Sequence, residues 1–557
     1  MGKIVIYQVL TRVCCNDVQQ PLPNGSIKTN GCGKMNSFTP TVLENIKSMG
    51  ITHIWFTGLP AHASSTDYSE FGIPSSHHAT VKGIAGSPYA IRDYYDIDPD
   101  LAVSVRDRLE EFKQLVQRVH DAGMKFIMDF VPNHVAREYR SHMRPKGVQD
   151  LGEGDDSRIA FSPLNNFYYI TGQPLSGEID WDDYFEFPAK ATGNDKFTST
   201  PSLSDWYETV KLNYGVDYVG GTGTSFSPIP DTWIKMRDIL LFWADMNVDA
   251  FRCDMAEMVP VEFWHWAVEA VKKRYPKVEF IAEIYNPGSY YSYINYGHFD
   301  YIYDKVGLYD TLRAVTEGRE SATAITRCWQ STGDVGPHML HFMENHDEQR
   351  IASDFFARDG SGGRAPMIVS ALMDNCPVMI YAGQEVGESA MDVEGFSGRD
   401  GRTSIFDYWA PDTLRRLYNR GKWDNELLTS DEKELKEFYT ILLNICGKEK
   451  AICKGQFFDL MYVNPMSPDF NPHNHYAFLR SDNETAILVV ANFGDKPTRS
   501  GIVIPAHAFD YMGLKEKKDC IFTDLLSGQT ITANLSADRP VRVQIPALSG
   551  VVLKWII

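Results

Sequence analysis

A chain of 557 residues is too long for one hydrophobic core, and its 43% hydrophobic and 23% charged residues are those of a globular protein with two or three domains. A formal charge of −19 opposes nucleic acid and anionic membrane surfaces and suits a neutral substrate. No apolar run approaches membrane-spanning length, so no membrane partner is expected. Nine scattered cysteines without zinc-type spacing read as reduced thiols, and a strand that opens almost at once leaves no room for a signal peptide, which together point to the cytoplasm.

The first strand is predicted over 3–8. After a loop rich in Gly, Asn and Pro comes a helix over 41–49, which Gly50 is placed to stop. A strand over 51–56 is followed by a long loop that ends in Ser87-Pro88-Tyr89 and Asp93-Tyr94-Tyr95. A charged amphipathic helix over 105–121 and a strand over 125–130 then lead into Asp129-Phe130-Val131-Pro132-Asn133-His134. The alternation breaks for about 95 residues, where connections in such units usually take about 2–6, so this span reads as an inserted subdomain. Its many aromatics, Phe161, Trp181, Trp206 and Tyr218 among them, have no period to place them and read mostly as the insert's own core, with a minority as stacking platforms for a ligand.

Strand and helix resume with a helix from about 231 to 246, the strand Asp249-Ala250-Phe251-Arg252-Cys253-Asp254, a helix over 261–274 and a strand ending at Glu283. Further strands are predicted over 299–303, 338–343 and 377–381, the middle one running into Glu344-Asn345-His346-Asp347. Helices from about 308, over 364–374 and over 430–445 complete the set. Eight strands alternating with helices point to an α/β fold, a (β/α)₈ TIM barrel enlarged by its insert. Past about residue 450, six short alternating strands and little helix predict an antiparallel β domain, expected to be a sandwich. The expected division is 1–134 with 229–449 as the barrel, 135–228 as the insert and 450–557 as the β domain.

Strand, helix, strand makes Asp254 and Glu283 neighbours at one edge of the sheet, because the crossover between them joins parallel strands. Arg252, two residues before Asp254, points the same way and is expected to keep that carboxylate ionised. Glu283 has no cation in its own motif and is left to carry a proton. An anionic carboxylate facing a protonated one is the apparatus of glycoside hydrolysis with retention, which sets the two about 5–5.5 Å apart. Two strand-end acids with a structural ion pair would produce the same short motif. Asp129, His134, His346 and Asp347 also fall at strand ends, where a barrel gathers its residues into one mouth.

These stretches, Asp129 to His134, Phe251 to Asp254, Ile281 to Glu283 and Glu344 to Asp347, resemble the four ordered sequence regions of the α-amylase family of glycoside hydrolases (family 13). The resemblance runs from residue 4 into the C-terminal β domain. It implies Asp254 as nucleophile, Glu283 as general acid and base, and Asp347 as transition-state stabiliser. Arg252 would orient Asp254, His134 and His346 would bond sugar hydroxyls, and Tyr89 would stack beneath the sugar. The insert would be the family's domain B and the β domain its domain C. The implied activity is hydrolysis of α-1,4 bonds in starch or maltooligosaccharides. Transglycosylation or α-1,6 cleavage by the same triad is the alternative, and a non-catalytic carbohydrate-binding relative is a third reading.

Two departures bear on specificity and metal. Many starch-cleaving members carry Lys-His where this chain has Glu257 and Met258, which touches acceptor preference. No cofactor is required for the chemistry, but the family's frequent structural calcium would use Asn133, carboxylates of the insert and the backbone carbonyl at Met258. Asn133 bonding across its own loop is the other reading.

Overall fold

A computed structural model of the chain, describing residues 2–537 and 539–557, closes eight parallel strands into a barrel. They are β1 (Val5–Leu10), β2 (His53–Thr57), β3 (Lys125–Phe130), β4 (Ala250–Cys253), β5 (Glu279–Ala282), β6 (Tyr301–Tyr303), β7 (Met339–Phe342) and β8 (Val378–Tyr381). Each strand neighbours its predecessor in sequence, and β8 closes on β1. The strands are buried on both faces, the interior by packed side chains and the exterior by helices, so they read as nearly unbroken apolar runs. The barrel expected from the alternation is thus the barrel observed.

The register of β4 decides the chemistry. Arg252 pairs with Asp129 on β3, and Cys253 pairs with Ala282 on β5. The ladder continues one residue past the strands, with Asp254 N–H donating to Phe130 O at 2.9 Å and Glu283 N–H to Cys253 O at 3.1 Å. Both acids are therefore set by backbone hydrogen bonds at one level of the barrel mouth.

Two helices differ from their predicted starts. The helix Arg108–Asp121 begins late because Val105–Asp107 forms a separate tight turn, with the Glu111 carboxylate accepting from Val103 and Ser104 N–H. After β6, Lys305–Tyr309 winds as one wide turn before the helix Asp310–Thr316, because the Asp304 side chain accepts from Leu308 N–H at 2.8 Å.

Between β3 and the helix Asp231–Ala244 the chain forms only short antiparallel pairs among long loops. One pair, His134–Ala136 with Thr209–Lys211, sets His134 opposite Lys211 on the barrel's mouth. The C-terminal region carries a six-stranded antiparallel sheet and a separate two-stranded one, Thr498–Val503 with Pro540–Ile545. The edge strands Gln456–Asp459 and Thr530–Leu535 were not predicted, because an edge strand packs along one side only and needs little apolar sequence. Among the described residues no helix is long and apolar enough to cross a membrane.

Candidate active site

Asp254, Glu283, Asp347, Tyr89 and His134 all line one cavity of about 360 Å³ at the mouth of the barrel. Arg252 and His346 stand just behind its wall, each in contact with lining residues. Arg252 is fully buried and sits among the rings of Trp55, Tyr89 and Tyr303, 5.2, 5.3 and 5.5 Å from their centroids. Ring faces favour a desolvated guanidinium and keep it in place.

The electrostatic arrangement corrects the sequence reading. Arg252 does hold Asp254, with Nη1 donating to Oδ1 at 2.8 Å. Its Nη2, however, lies 2.7 Å from Glu283 Oε2, so Glu283 does have a cation. The reason is the in-register pairing of β4 with β5, which a motif read along one strand does not contain. Asp129 is a third acid on the same group, 3.5 Å from Nη1. Desolvation, then the charge of Glu283, pushes Asp254 well above the ordinary carboxylate range, and Arg252 only partly offsets this. Burial likewise raises Asp129. Three buried carboxylates thus surround one guanidinium, which cannot neutralise them all.

Glu283 is positioned through both oxygens. Oε2 accepts from Met255 N–H at 2.8 Å, and Oε1 accepts from the Tyr285 hydroxyl at 2.5 Å. Met255 turns its amide inward by adopting a left-handed conformation, φ 43°, which is costly for a residue with a Cβ. Tyr285 was not singled out from sequence, although it stands two residues past the acid. Glu257 accepts from the N–H groups of Tyr285 and Asn286, and so braces the loop behind Glu283.

Asp347 is the most open of the three acids, its side chain 41% exposed. Burial pushes its carboxyl up, but His346 at 3.0 Å, with Arg252 and Arg402, outweighs this and holds it below the ordinary value. Tyr89 stacks on the His346 ring, and its hydroxyl lies 2.6 Å from Nε2. Burial, with the charges of Lys211 and Lys82, pushes His134 down to about 3 and keeps it a neutral hydrogen-bonding ring. Among the insert's aromatics Trp206 alone lines the cavity, 5.2 Å from the His134 ring.

Asn133 lies outside the cavity. Its Nδ2 donates to Gly193 O at 2.8 Å, and its Oδ1 accepts from the Lys211 ammonium. The same ammonium lies 3.2 Å from Met258 O and 2.7 Å from Asp195 Oδ1. The oxygens that the resemblance gives to calcium thus surround an ammonium group. They do not fit a dication, which needs six to eight oxygens and no positive neighbour.

The family model described as the catalytic domain of alpha amylase matches residues 28–433. Among curated proteins, the chain is 24% identical over 566 residues to an alpha-amylase of Streptomyces lividans, covering 92% of this chain and 55% of that protein. It is 22% identical to a cyclomaltodextrinase of Thermoanaerobacter pseudethanolicus, covering 73% and 58%. The chain thus spans little more than half the length of these relatives. Among solved structures, a maltogenic alpha-amylase of Thermotoga neapolitana superposes with a TM-score of 0.64 at 18% identity, covering 100% of this chain and 99% of that one.

Proposed function

Because the chain belongs to the α-amylase family of glycoside hydrolases, we propose that it cleaves α-1,4-glucosidic bonds of starch or maltooligosaccharides with retention of configuration. The observation that carries this reading is the shared guanidinium: Asp254 and Glu283 rest on its two amino groups at the wall of one cavity, with Asp347 in the same cavity. In the first half-reaction protonated Glu283 gives its proton to the glycosidic oxygen. The C–O bond breaks, the leaving chain departs as an alcohol, and an Asp254 oxygen bonds to the anomeric carbon. In the second, Glu283 as carboxylate takes a proton from water, whose oxygen displaces Asp254. Two inversions at one carbon preserve its configuration.

Arg252 serves both halves because it touches both acids. As Asp254 loses its charge to the covalent bond, Glu283 becomes the anion on the same guanidinium, so net charge at the site changes little. Asp347, held ionised by His346, grips ring hydroxyls, and Tyr89 lies under the sugar. His134 offers a neutral ring for a further hydroxyl.

Transglycosylation or α-1,6 cleavage is the second reading, favoured by one observation. Where many starch-cleaving relatives place Lys-His, Glu257 is spent on two backbone amides and offers an acceptor sugar no cation. Incubation with maltoheptaose and, separately, pullulan, followed by sizing of products, decides between them. Short maltooligosaccharides from the first and none from the second support α-1,4 hydrolysis. Products longer than maltoheptaose, or maltotriose released from pullulan by cleavage of its α-1,6 links, support the alternative. Glu283→Gln should bind maltoheptaose without turnover, and no turnover by the wild type would favour the non-catalytic reading.

A further inference from the structure

Lys211 is 2% exposed, yet its ammonium meets oxygens from three separate segments. Asn133 Oδ1 comes from the loop after β3, Met258 O from the turn after β4, and Asp195 Oδ1 from the insert itself. An ammonium has three N–H donors, and three acceptors satisfy it completely. The face of Tyr218, 5.6 Å away, adds a cation–π contact. Asp195 balances the charge at 2.7 Å. Lys211 reaches this point because its strand pairs with His134–Ala136, and the ladder carries on as Leu212 N–H donates to Asn133 O at 3.0 Å.

The site is therefore a junction. It ties the insert to two loops of the barrel mouth, and it does so with a covalently attached cation. A divalent ion at the same oxygens would lie against the ammonium, and the repulsion in so desolvated a place would be several times that in water. Met258 contributes through its carbonyl alone, so its side chain is irrelevant to the role.

We propose that Lys211 is a built-in replacement for the calcium that the family resemblance assigns to Asn133 and the Met258 carbonyl, and that the junction between insert and barrel is metal-independent. The inference uses family membership to identify the position, but its readouts are melting and metal content, which do not depend on what the chain hydrolyses. Dialysis of the whole protein against millimolar EDTA should leave no calcium by elemental analysis. Its Tm should be the same in EDTA and in millimolar calcium chloride. Lys211→Met, which keeps the stem and removes the charge, should melt about 5 °C or more below the wild type in EDTA, because it strands the buried Asn133 amide oxygen and leaves the Asp195 carboxylate without its counter-charge. One calcium per chain surviving dialysis, a wild-type Tm that falls in EDTA and recovers with calcium, or a Lys211→Met protein that melts like the wild type would overturn the proposal. Should the variant not fold, the wild-type measurements decide alone.

Discussion

Arg252 Nη2 lies 2.7 Å from Glu283 Oε2 while Nη1 of the same side chain holds Asp254 at 2.8 Å. The two acids assigned opposite halves of one reaction therefore share a single counter-charge. A lysine at this position could bring one point charge to one carboxylate, but not a planar fork to both. Breaking a buried pair costs about 3–5 kcal/mol, and each 1.4 kcal/mol is about tenfold. Arg252→Lys is expected to lower kcat/KM on maltoheptaose by about 10²–10³-fold or more with the fold intact by circular dichroism. Activity within tenfold of wild type would mean that the bridging contact is not used.

Asp254 is a charge the fold holds at a cost. Its folded pKa lies above its ordinary value of 3.8, first through desolvation and then through Glu283. Between 3.8 and that raised value the folded state binds more protons than the unfolded one, so this group's contribution to stability falls as pH rises through the window. Asp254→Asn removes the penalty. It should abolish hydrolysis yet raise stability at pH 7 by about 1–2 kcal/mol, a trade between function and stability seen at many active sites. The gain should shrink as pH falls towards about 4, where a carboxyl of ordinary pKa is itself protonated. Parallel melting curves of variant and wild type across pH measure it, and a variant less stable than wild type at pH 7 would contradict the electrostatic account.

The eight barrel strands were legible because a strand buried on both faces is a short apolar run, and β3 matched its predicted ends, residues 125 and 130. The strand-end acids were legible for the same reason: Asp254 and Glu283 interrupt apolar runs at the point where the chain meets solvent. What connects them across strands was not. The bridge from Arg252 to Glu283 depends on the register of β4 with β5, and the Lys211 junction depends on an insert built from two- and three-residue pairs without period. The family resemblance gives Asn133 to a calcium ion, whereas the positive group beside it is the ammonium of a residue 78 positions away, which nothing in the motif contains.

All nine cysteines are free, and eight are buried. Adjacent Cys14 and Cys15 have sulfurs 3.8 Å apart, well beyond a bond. Desolvation pushes Cys328 and Cys446 up to about 11, so neither offers a thiolate at neutral pH. The native protein should therefore react with a thiol reagent such as Ellman's at Cys453 at most, with nine thiols titrating after denaturation. Dithiothreitol should leave the Tm unchanged. A Tm that drops under reduction would reveal a cross-link incompatible with this arrangement.

Trp206 is the aromatic of the insert that reaches the cavity, its ring tilted 58° to the neutral His134 ring with centroids 5.2 Å apart. A sugar face placed on an indole buries apolar area worth about 1.5 kcal/mol, close to tenfold in affinity. A stacking contact on an apolar sugar face makes no bond to the reacting atoms and should be the same in ground and transition states, and such uniform binding acts on KM and leaves kcat alone. Trp206→Ala is expected to raise KM for maltoheptaose about tenfold with kcat changed less than about threefold. Trp206→Phe, which keeps a ring, should recover most of that loss. A large fall in kcat with KM unchanged would instead tie Trp206 to the orientation of His134 during the reaction, and would move it from the substrate's surface into the catalytic framework.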